Sequence, residues 1–211
     1  MNLSTMRALV RRDLHDEDAQ SYRWSDDELD RHVARAVRET SLASPLESEA
    51  TLTTTPDSRE LSLTSLSDRV VVEAVEYPVG QFPAVYVPFS LWGDTLTLLV
   101  DSAPLSAQSA KVFYGKLHTL DESGSTLPAA LEDVVATGAA GYAALEWASF
   151  ATNRVNTGGS ETWRDYLVWG EQRLAAFSAA LARHGHRSTV RVRRLYTPAL
   201  SMEGQAGEPR P

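Results

Sequence analysis

The sequence contains no cysteine among its 211 residues, which excludes disulfide bonds, thiol nucleophiles and zinc–thiolate sites. Lysine is nearly absent too, since Lys111 and Lys116 are the only two and arginine supplies the other basic side chains. No run approaches the eighteen or so apolar residues of a membrane-spanning helix. With 43% hydrophobic residues, the chain has enough apolar surface for one core, or for a core and a smaller second module.

Recognised catalytic and metal-binding patterns are also missing. No serine occupies a Gly-x-Ser-x-Gly elbow, and Thr157-Gly-Gly-Ser160 lacks the lysine of a nucleotide-binding loop. The acidic run lacks the alternating ligands and central glycine of a calcium loop, so it indicates solvated loop and helix-capping charge: Asp13, Asp16, Glu17 and Asp18. The histidines show no metal spacing: His15, His32, His118, His184 and His186. We therefore expect no enzyme activity, cofactor or metal.

Residues 1–46 predict a helical hairpin. Ser4 is the expected cap of a first helix. The apolar residues of this helix fall at helical spacing: Met6, Leu9, Val10 and Leu14. Its arginines are predicted to face water: Arg7, Arg11 and Arg12. The second helix is marked by the capping box Ser25-Asp-Asp-Glu28, with Trp24 and Leu29 as a hydrophobic staple. It should end before Pro45.

From residue 50 to 118 the apolar period changes to two, which predicts an inserted β module. Six short strands are expected, with Trp92-Gly-Asp94 as a turn: Ala50–Thr55, Glu60–Leu63, Val70–Tyr77, Ala84–Phe89, Thr95–Val100 and Ala110–Lys116. Their short connections favour a small antiparallel sandwich or barrel.

Two long helices are predicted after the β module. The first follows Leu127-Pro128 and continues to about Asn153. Its small residues, among them Gly138 and Gly141, should let another helix approach closely, because glycine inside a helix costs about 1 kcal/mol unless packing compensates. The second helix is capped by Ser160 and closed by Gly185. Its aromatic residues, with two from the preceding helix, are expected in the core rather than in a ligand cage: Tyr142, Trp147, Trp163, Tyr166 and Trp169.

The predicted fold class is therefore α+β. Residues 1–46 and 127–185 form a discontinuous helical bundle, made of the N-terminal hairpin and the two long C-terminal helices. Residues 50–118 form the inserted β-sandwich or barrel, and residues 186–211 form an extended C-terminal arm and tail.

The arm is the most unusual part of the sequence. Between Arg183 and Arg194 the chain has five arginines and no acidic residue. Since these contribute +5 to a formal net charge of −8, the rest of the chain carries −13. Valines alternate with arginines, which is typical of a strand without an adjacent partner. The predicted partner-binding residues are Arg187, Val190, Arg191, Val192, Arg193, Arg194, Leu195 and Tyr196.

Several roles for the arm remain open at this point. It could add to a sheet edge on another chain, return to the edge of its own β module, or bind nucleic-acid phosphates through its arginines. An enzyme with a ligand-binding β domain has only surface aromatics and acidic pairs in its favour.

Three segments resemble the head-to-tail connector proteins of tailed bacteriophages, also called adaptor or head-completion proteins. They are Met6-Arg-Ala-Leu-Val-Arg-Arg-Asp-Leu14, Tyr22-Arg-Trp-Ser-Asp-Asp-Glu-Leu-Asp30 and Leu127-Pro-Ala-Ala-Leu-Glu-Asp-Val-Val135. The β module is larger than in the helical minimum of that family.

The resemblance implies a structural virion protein, found in the neck of the particle at the head–tail interface and in the host cytoplasm during assembly. It implies a dodecameric ring below the portal protein, which the C-terminal arm grips. A downstream tail or stopper protein is the second expected partner. Double-stranded DNA would pass through the ring without sequence-specific contact, and no membrane is involved.

Overall fold

The computed structural model describes residues 1–151 and 163–185. Within them lie four helices and seven strands, which confirms the α+β class. The helices are α1 Leu3–Asp13, α2 Asp26–Ala43, α3 Ala129–Ala151 and α4 Trp163–His184. The strands are β1 Leu46–Thr53, β2 Glu60–Ser62, β3 Arg69–Glu76, β4 Tyr86–Val87, β5 Phe89–Trp92, β6 Thr95–Leu98 and β7 Ser109–Lys116.

Helix α1 starts two residues earlier than its sequence predicts. Asn2, not Ser4, is the N-cap, because the Asn2 side-chain oxygen accepts a hydrogen bond from the Thr5 backbone N–H at 3.0 Å. The predicted apolar residues Met6 and Val10 are fully buried. The prediction that Arg11 faces water is wrong, since only 5% of this residue is exposed.

The start of α2 is confirmed in detail. The Ser25 hydroxyl accepts from the Glu28 backbone N–H at 3.3 Å, and the Glu28 carboxylate accepts from the Ser25 backbone N–H at 2.7 Å. Trp24 and Leu29 are both buried, and the Trp24 ring N–H donates to the Ala143 carbonyl at 3.2 Å. The capping signal thus fixes both the beginning of α2 and its attachment to α3. The helix ends at Ala43, ahead of Pro45 as expected.

Helices α3 and α4 approach as closely as the glycines predict. A Cβ atom added at Gly138 would lie 2.9 Å from the Phe177 ring, and one added at Gly141 would lie 2.9 Å from the Leu174 side chain. The buried surface of α3 is made mainly of small side chains and contacts α1, α2 and α4. Helices α1 to α4 form one helical unit with α3 at its centre. Side chains of α4 fill the space next to the α3 glycines.

The strands form two antiparallel sheets that enclose a second core. The order is β1-β7-β3-β4 in one sheet and β2-β6-β5 in the other. Both sheets contribute buried side chains to the space between them: Leu61, Leu63, Val72, Val75, Leu96, Leu98, Ala110, Val112 and Tyr114. This is the expected sandwich, with the predicted turn at Gly93 and Asp94 joining β5 to β6.

Two strand predictions are corrected. Strand β1 begins at Leu46, four residues before the predicted start, because its register with β7 continues to Lys116. The predicted strand Ala84–Phe89 is two edge strands, since Tyr86 and Val87 pair with β3 whereas Phe89 begins the pairing with β6. Pro88 separates them, and a proline has no N–H to continue a sheet ladder.

The helical unit and the sandwich meet at a close junction. A Cβ atom at Gly115 would lie 2.5 Å from the Pro45 side chain, so only glycine fits there. His118 is buried beside it, with Nδ1 3.0 Å from the Thr126 carbonyl oxygen and Nε2 3.1 Å from the Ser44 carbonyl oxygen. The junction therefore links the end of α2, the start of β1 and the segment after β7.

Candidate assembly surfaces

The eight predicted partner-binding residues, Arg187 to Tyr196, lie outside the described residues, and so does the predicted cap Ser160. The structure does describe the point from which the arm leaves the body. The Gly185 backbone N–H donates to the Leu181 carbonyl at 2.8 Å and closes α4. A Cβ atom at Gly185 would lie 3.2 Å from the Ala43 carbonyl oxygen, so this residue packs against the end of α2. The arm therefore starts at the junction, next to Ala43, which precedes the first residue of β1 by three positions.

The outer face of the four-stranded sheet is rich in carboxylates. Glu47 and Glu49 are exposed on β1, and β3 contributes Glu73 and Glu76. Lys111 on β7 lies between these strands, with its ammonium group 2.9 Å from the Glu49 carboxylate. We call the four carboxylates Glu47, Glu49, Glu73 and Glu76 the acidic face. Burial raises the pKa of Glu73, and the nearby Glu47 carboxylate is a second, smaller cause.

Strand β1 lies at the edge of its sheet. It pairs with β7 along eight residues, and within the described residues no strand covers its other side. Its exposure alternates, with the side chains of Ser48, Ala50 and Leu52 half-buried and those between them exposed. Such an edge presents unpaired backbone N–H and C=O groups to another strand.

Large apolar side chains are exposed at the tips of the sandwich. Phe82 is fully exposed in the loop between β3 and β4, and Leu105 is 86% exposed in the loop between β6 and β7. Both loops adjoin the end of the sheet that lies away from the helices, where Glu76 and Ser109 stand. Trp92, 90% exposed, ends β5. These exposed side chains form what we call the apolar tips: Phe82, Leu105 and Trp92.

The charges of α1 are structural. The Arg11 guanidinium is buried and donates to the Asp16 carboxylate at 2.6 Å, the Asp26 carboxylate at 2.7 Å and the Trp24 carbonyl at 3.0 Å. The prediction of a solvated Asp16 is therefore wrong, since this residue is only 7% exposed. Arg7 makes a two-bond contact with Asp30, each bond 2.8 Å long. These contacts hold α1 against the start of α2.

A second polar cluster joins α2 to α3. Arg31 binds the Glu146 carboxylate, and the Nε2 atom of buried His32 lies 2.5 Å from the same carboxylate. Burial lowers the pKa of His32, and the nearby Glu146 opposes that effect only in part. Arg31 is the main cause that lowers the pKa of Glu146. Sequence analysis did not find this cluster, because its members are separated by more than a hundred residues.

Four of the five predicted core aromatics pack against the helical core, whereas Trp163 is half-buried at the start of α4. Tyr142, Trp147, Tyr166 and Trp169 are half-buried against the helical core, and Trp24 contacts Trp147 edge-on with ring centroids 5.9 Å apart. Within residues 1–151 and 163–185, no three potential metal ligands come together. None of the helices described there is long and apolar enough to cross a membrane.

Comparison with known proteins gives weak likenesses. No family model and no curated protein matches the chain. Among solved structures, it is similar to a chain of the "Neck of empty GTA particle computed with C6 symmetry", with 13% identity, a TM-score of 0.30 and coverage of 82% of this chain and 88% of that chain. It is also similar to a chain of the "Neck of native GTA particle computed with C12 symmetry", with 15% identity, a TM-score of 0.28 and coverage of 80% and 89%. Likenesses at these TM-scores do not establish a shared fold.

Proposed function

We propose that this chain is a structural virion protein that forms an adaptor ring between the portal and the tail of a bacteriophage-type particle. The ring lines the DNA exit channel, and each subunit docks to the portal through residues 187–196. The observation that carries the proposal is that the three segments resembling connector proteins build one core.

Each resembling segment supplies buried side chains to the helical unit. Met6 belongs to the first segment, Trp24 to the second and Val135 to the third, and all three lie in the same cluster. Their exposed fractions are 0%, 3% and 0%. Because the third segment follows the second only after the whole β module and still meets the first two, the resemblance applies to one folded unit rather than to scattered helices.

Charge supports a channel role for the body and a contact role for the arm. The acidic face, formed by Glu47, Glu49, Glu73 and Glu76, belongs to a chain that carries a formal charge of −13 outside residues 183–194. A negative wall lets DNA pass without holding it, whereas a positive wall retains phosphates. Four arginines without an intervening acid, Arg187, Arg191, Arg193 and Arg194, instead follow Gly185, where the chain leaves the body.

Binding to the portal protein of the same virus tests the proposal. Three purified proteins are compared by size-exclusion chromatography with the portal: the full chain, a chain that ends at Tyr196, and a chain that ends at Gly185. We expect the first two to bind and the third to fold without binding. Equal binding by the chain that ends at Gly185 would remove the arm from the proposal.

Nucleic-acid binding is the second candidate, because the chain has five arginines and no acid between residues 183 and 194, and four of them lie in the arm. A protein that neutralises Z phosphates loses DNA affinity with a log–log salt slope of about −0.9Z. A steep slope that disappears in the chain ending at Gly185, together with no portal binding, would favour this candidate. Portal binding that loses only part of its affinity with salt favours the adaptor.

A further inference from the structure

We infer that in the free subunit residues 187–194 dock on the open edge of β1 of the same chain and extend the four-stranded sheet. The β1 edge is a different surface from the portal, but both contacts use the same arm residues, so this docking applies only to the subunit that is not bound to the portal. The argument rests on reach, side-chain pattern and charge.

Reach favours the chain's own edge over that of a second copy. Gly185 packs against Ala43, and β1 begins at Leu46. An extended chain advances at most about 3.3–3.6 Å per residue, so residue 187 or 188 can already lie beside Leu46. Strand β1 then runs away from the helical unit, because Leu46 pairs with Lys116 at the junction end of the sheet. A segment that leaves Gly185 along this edge is parallel to β1.

The two segments have matching patterns. On β1, Ser48, Ala50 and Leu52 are half-buried on the side of the sandwich core, and the residues between them are exposed. In the arm, Val190 and Val192 alternate with Arg191 and Arg193. Successive side chains of a strand point to opposite faces, so one register continues the core with the valines. The same register sets the arginines on the acidic face.

Charge makes this edge selective. Among the described residues no cation pairs with Glu47, whereas Glu49 has Lys111. Exposed charges on an edge strand normally prevent pairing with other chains. Acidic side chains block neutral and acidic strands, but they attract a strand whose outward residues are arginines. Glu47 and Glu49 thus exclude most strands and admit the arm.

Cysteine crosslinking tests the inference cleanly, because the natural chain has no cysteine. The test protein is the full chain with Thr51→Cys on β1 and Arg193→Cys in the arm, treated with a short bismaleimide at high dilution. The matched control carries Ser90→Cys on β5 in place of Thr51→Cys, since Ser90 is an exposed residue on another edge strand. We expect a crosslinked monomer for the Thr51 pair and none for the Ser90 pair.

Every other result overturns the inference. Crosslinked dimers would assign the edge to a second copy, equal yields for both pairs would mean no preferred edge, and no crosslink would leave the edge open. The charge argument is tested in the same background by Glu47→Lys with Glu49→Lys. This change should slow crosslinking about fivefold, as expected when two exposed ion pairs are lost. Glu60→Lys on β2 should leave the rate unchanged, and an equal effect of both changes would contradict the role of the acidic face.

Discussion

The helical unit buries charged side chains, whereas the β-sandwich exposes large apolar side chains. Of the fifteen large hydrophobic residues that are exposed in the described part of the chain, nine lie between Val71 and Leu105, within the sandwich. The helical unit, in contrast, buries even Arg11 and Asp16 and packs α3 against α4 through glycines. In the helical unit the buried charges are paired, so a substitution there removes a contact on which folding depends. A unit that exposes aromatic and aliphatic tips is organised for contact, so we expect substitutions in the first to alter folding and those in the second to alter assembly.

The largest effect on folding is expected from Arg11→Ala. The change leaves the Asp16 carboxylate buried without its cation, and breaking one side of a buried ion pair costs about 3–5 kcal/mol. The free energy of unfolding, measured by urea denaturation, should fall by that amount. Arg12→Ala is the control, because its side chain is 71% exposed. Equal effects of the two changes would show that the Arg11 contacts do not hold α1 in place.

Gly138→Ala should destabilise the helical unit by about 1–3 kcal/mol, the usual cost of overpacking a core. The new methyl group would lie 2.9 Å from the Phe177 ring. This cost opposes the gain of about 1 kcal/mol that alanine brings to a helix. Gly124→Ala is the control, since no atom lies within 4 Å of its added Cβ. A stabilised Gly138→Ala protein would contradict the close helix packing.

His118→Ala should loosen the junction between the two units and cost about 1–3 kcal/mol, because it removes a buried ring whose nitrogens contact the Thr126 and Ser44 carbonyl oxygens. In this variant, thermal unfolding should give different midpoint temperatures when it is followed by tryptophan fluorescence and by far-UV circular dichroism. His15→Asn is the matched control, since His15 is exposed and has φ of 53°, a conformation that asparagine tolerates. Coincident, unshifted transitions in the His118 variant would show that this residue does not couple the units.

The smallest effect concerns pH. Burial lowers the pKa of His32 in the folded protein, so the unfolded chain takes up the proton first as the pH falls. Stability should therefore drop as the pH falls from the unfolded pKa of about 6.5 toward the lower folded value. In His32→Gln this part of the pH dependence should disappear, while the loss at still lower pH from carboxylates such as Glu146 should remain. If His32→Gln has the same dependence of stability on pH as the natural protein between about pH 7 and pH 5.5, His32 is not the group responsible.

Local signals in the sequence predicted much of the fold. The capping box at Ser25 located α2, and the glycines of α3 predicted its contact with α4. Non-local features escaped, because they depend on which segments meet in space. Pro88 could not show that the chain changes sheets there, and a periodicity based on apolar residues assigned Arg11 to solvent. The position of Arg11, four residues after Arg7 and one after buried Val10, was the available signal for a polar helix contact.

The candidate binding residues of the arm came from the sequence alone, and they stay a prediction, because residues 187–196 lie outside the described part of the chain. The structure adds the root of the arm at Gly185, the open edge of β1 and the acidic face. None of these follows from local pattern, since the root and the edge come together only through the packing of α4 against the end of α2.

The most direct test of the central claim is an electron cryomicroscopy map of the full chain bound to the portal of its virus. The account predicts a ring of this chain below the portal, with residues 187–196 of each subunit against portal density and the apolar tips of the sandwich in contact with other protein. A map in which the arm contacts only DNA, or in which the chain forms no ring on the portal, would contradict it.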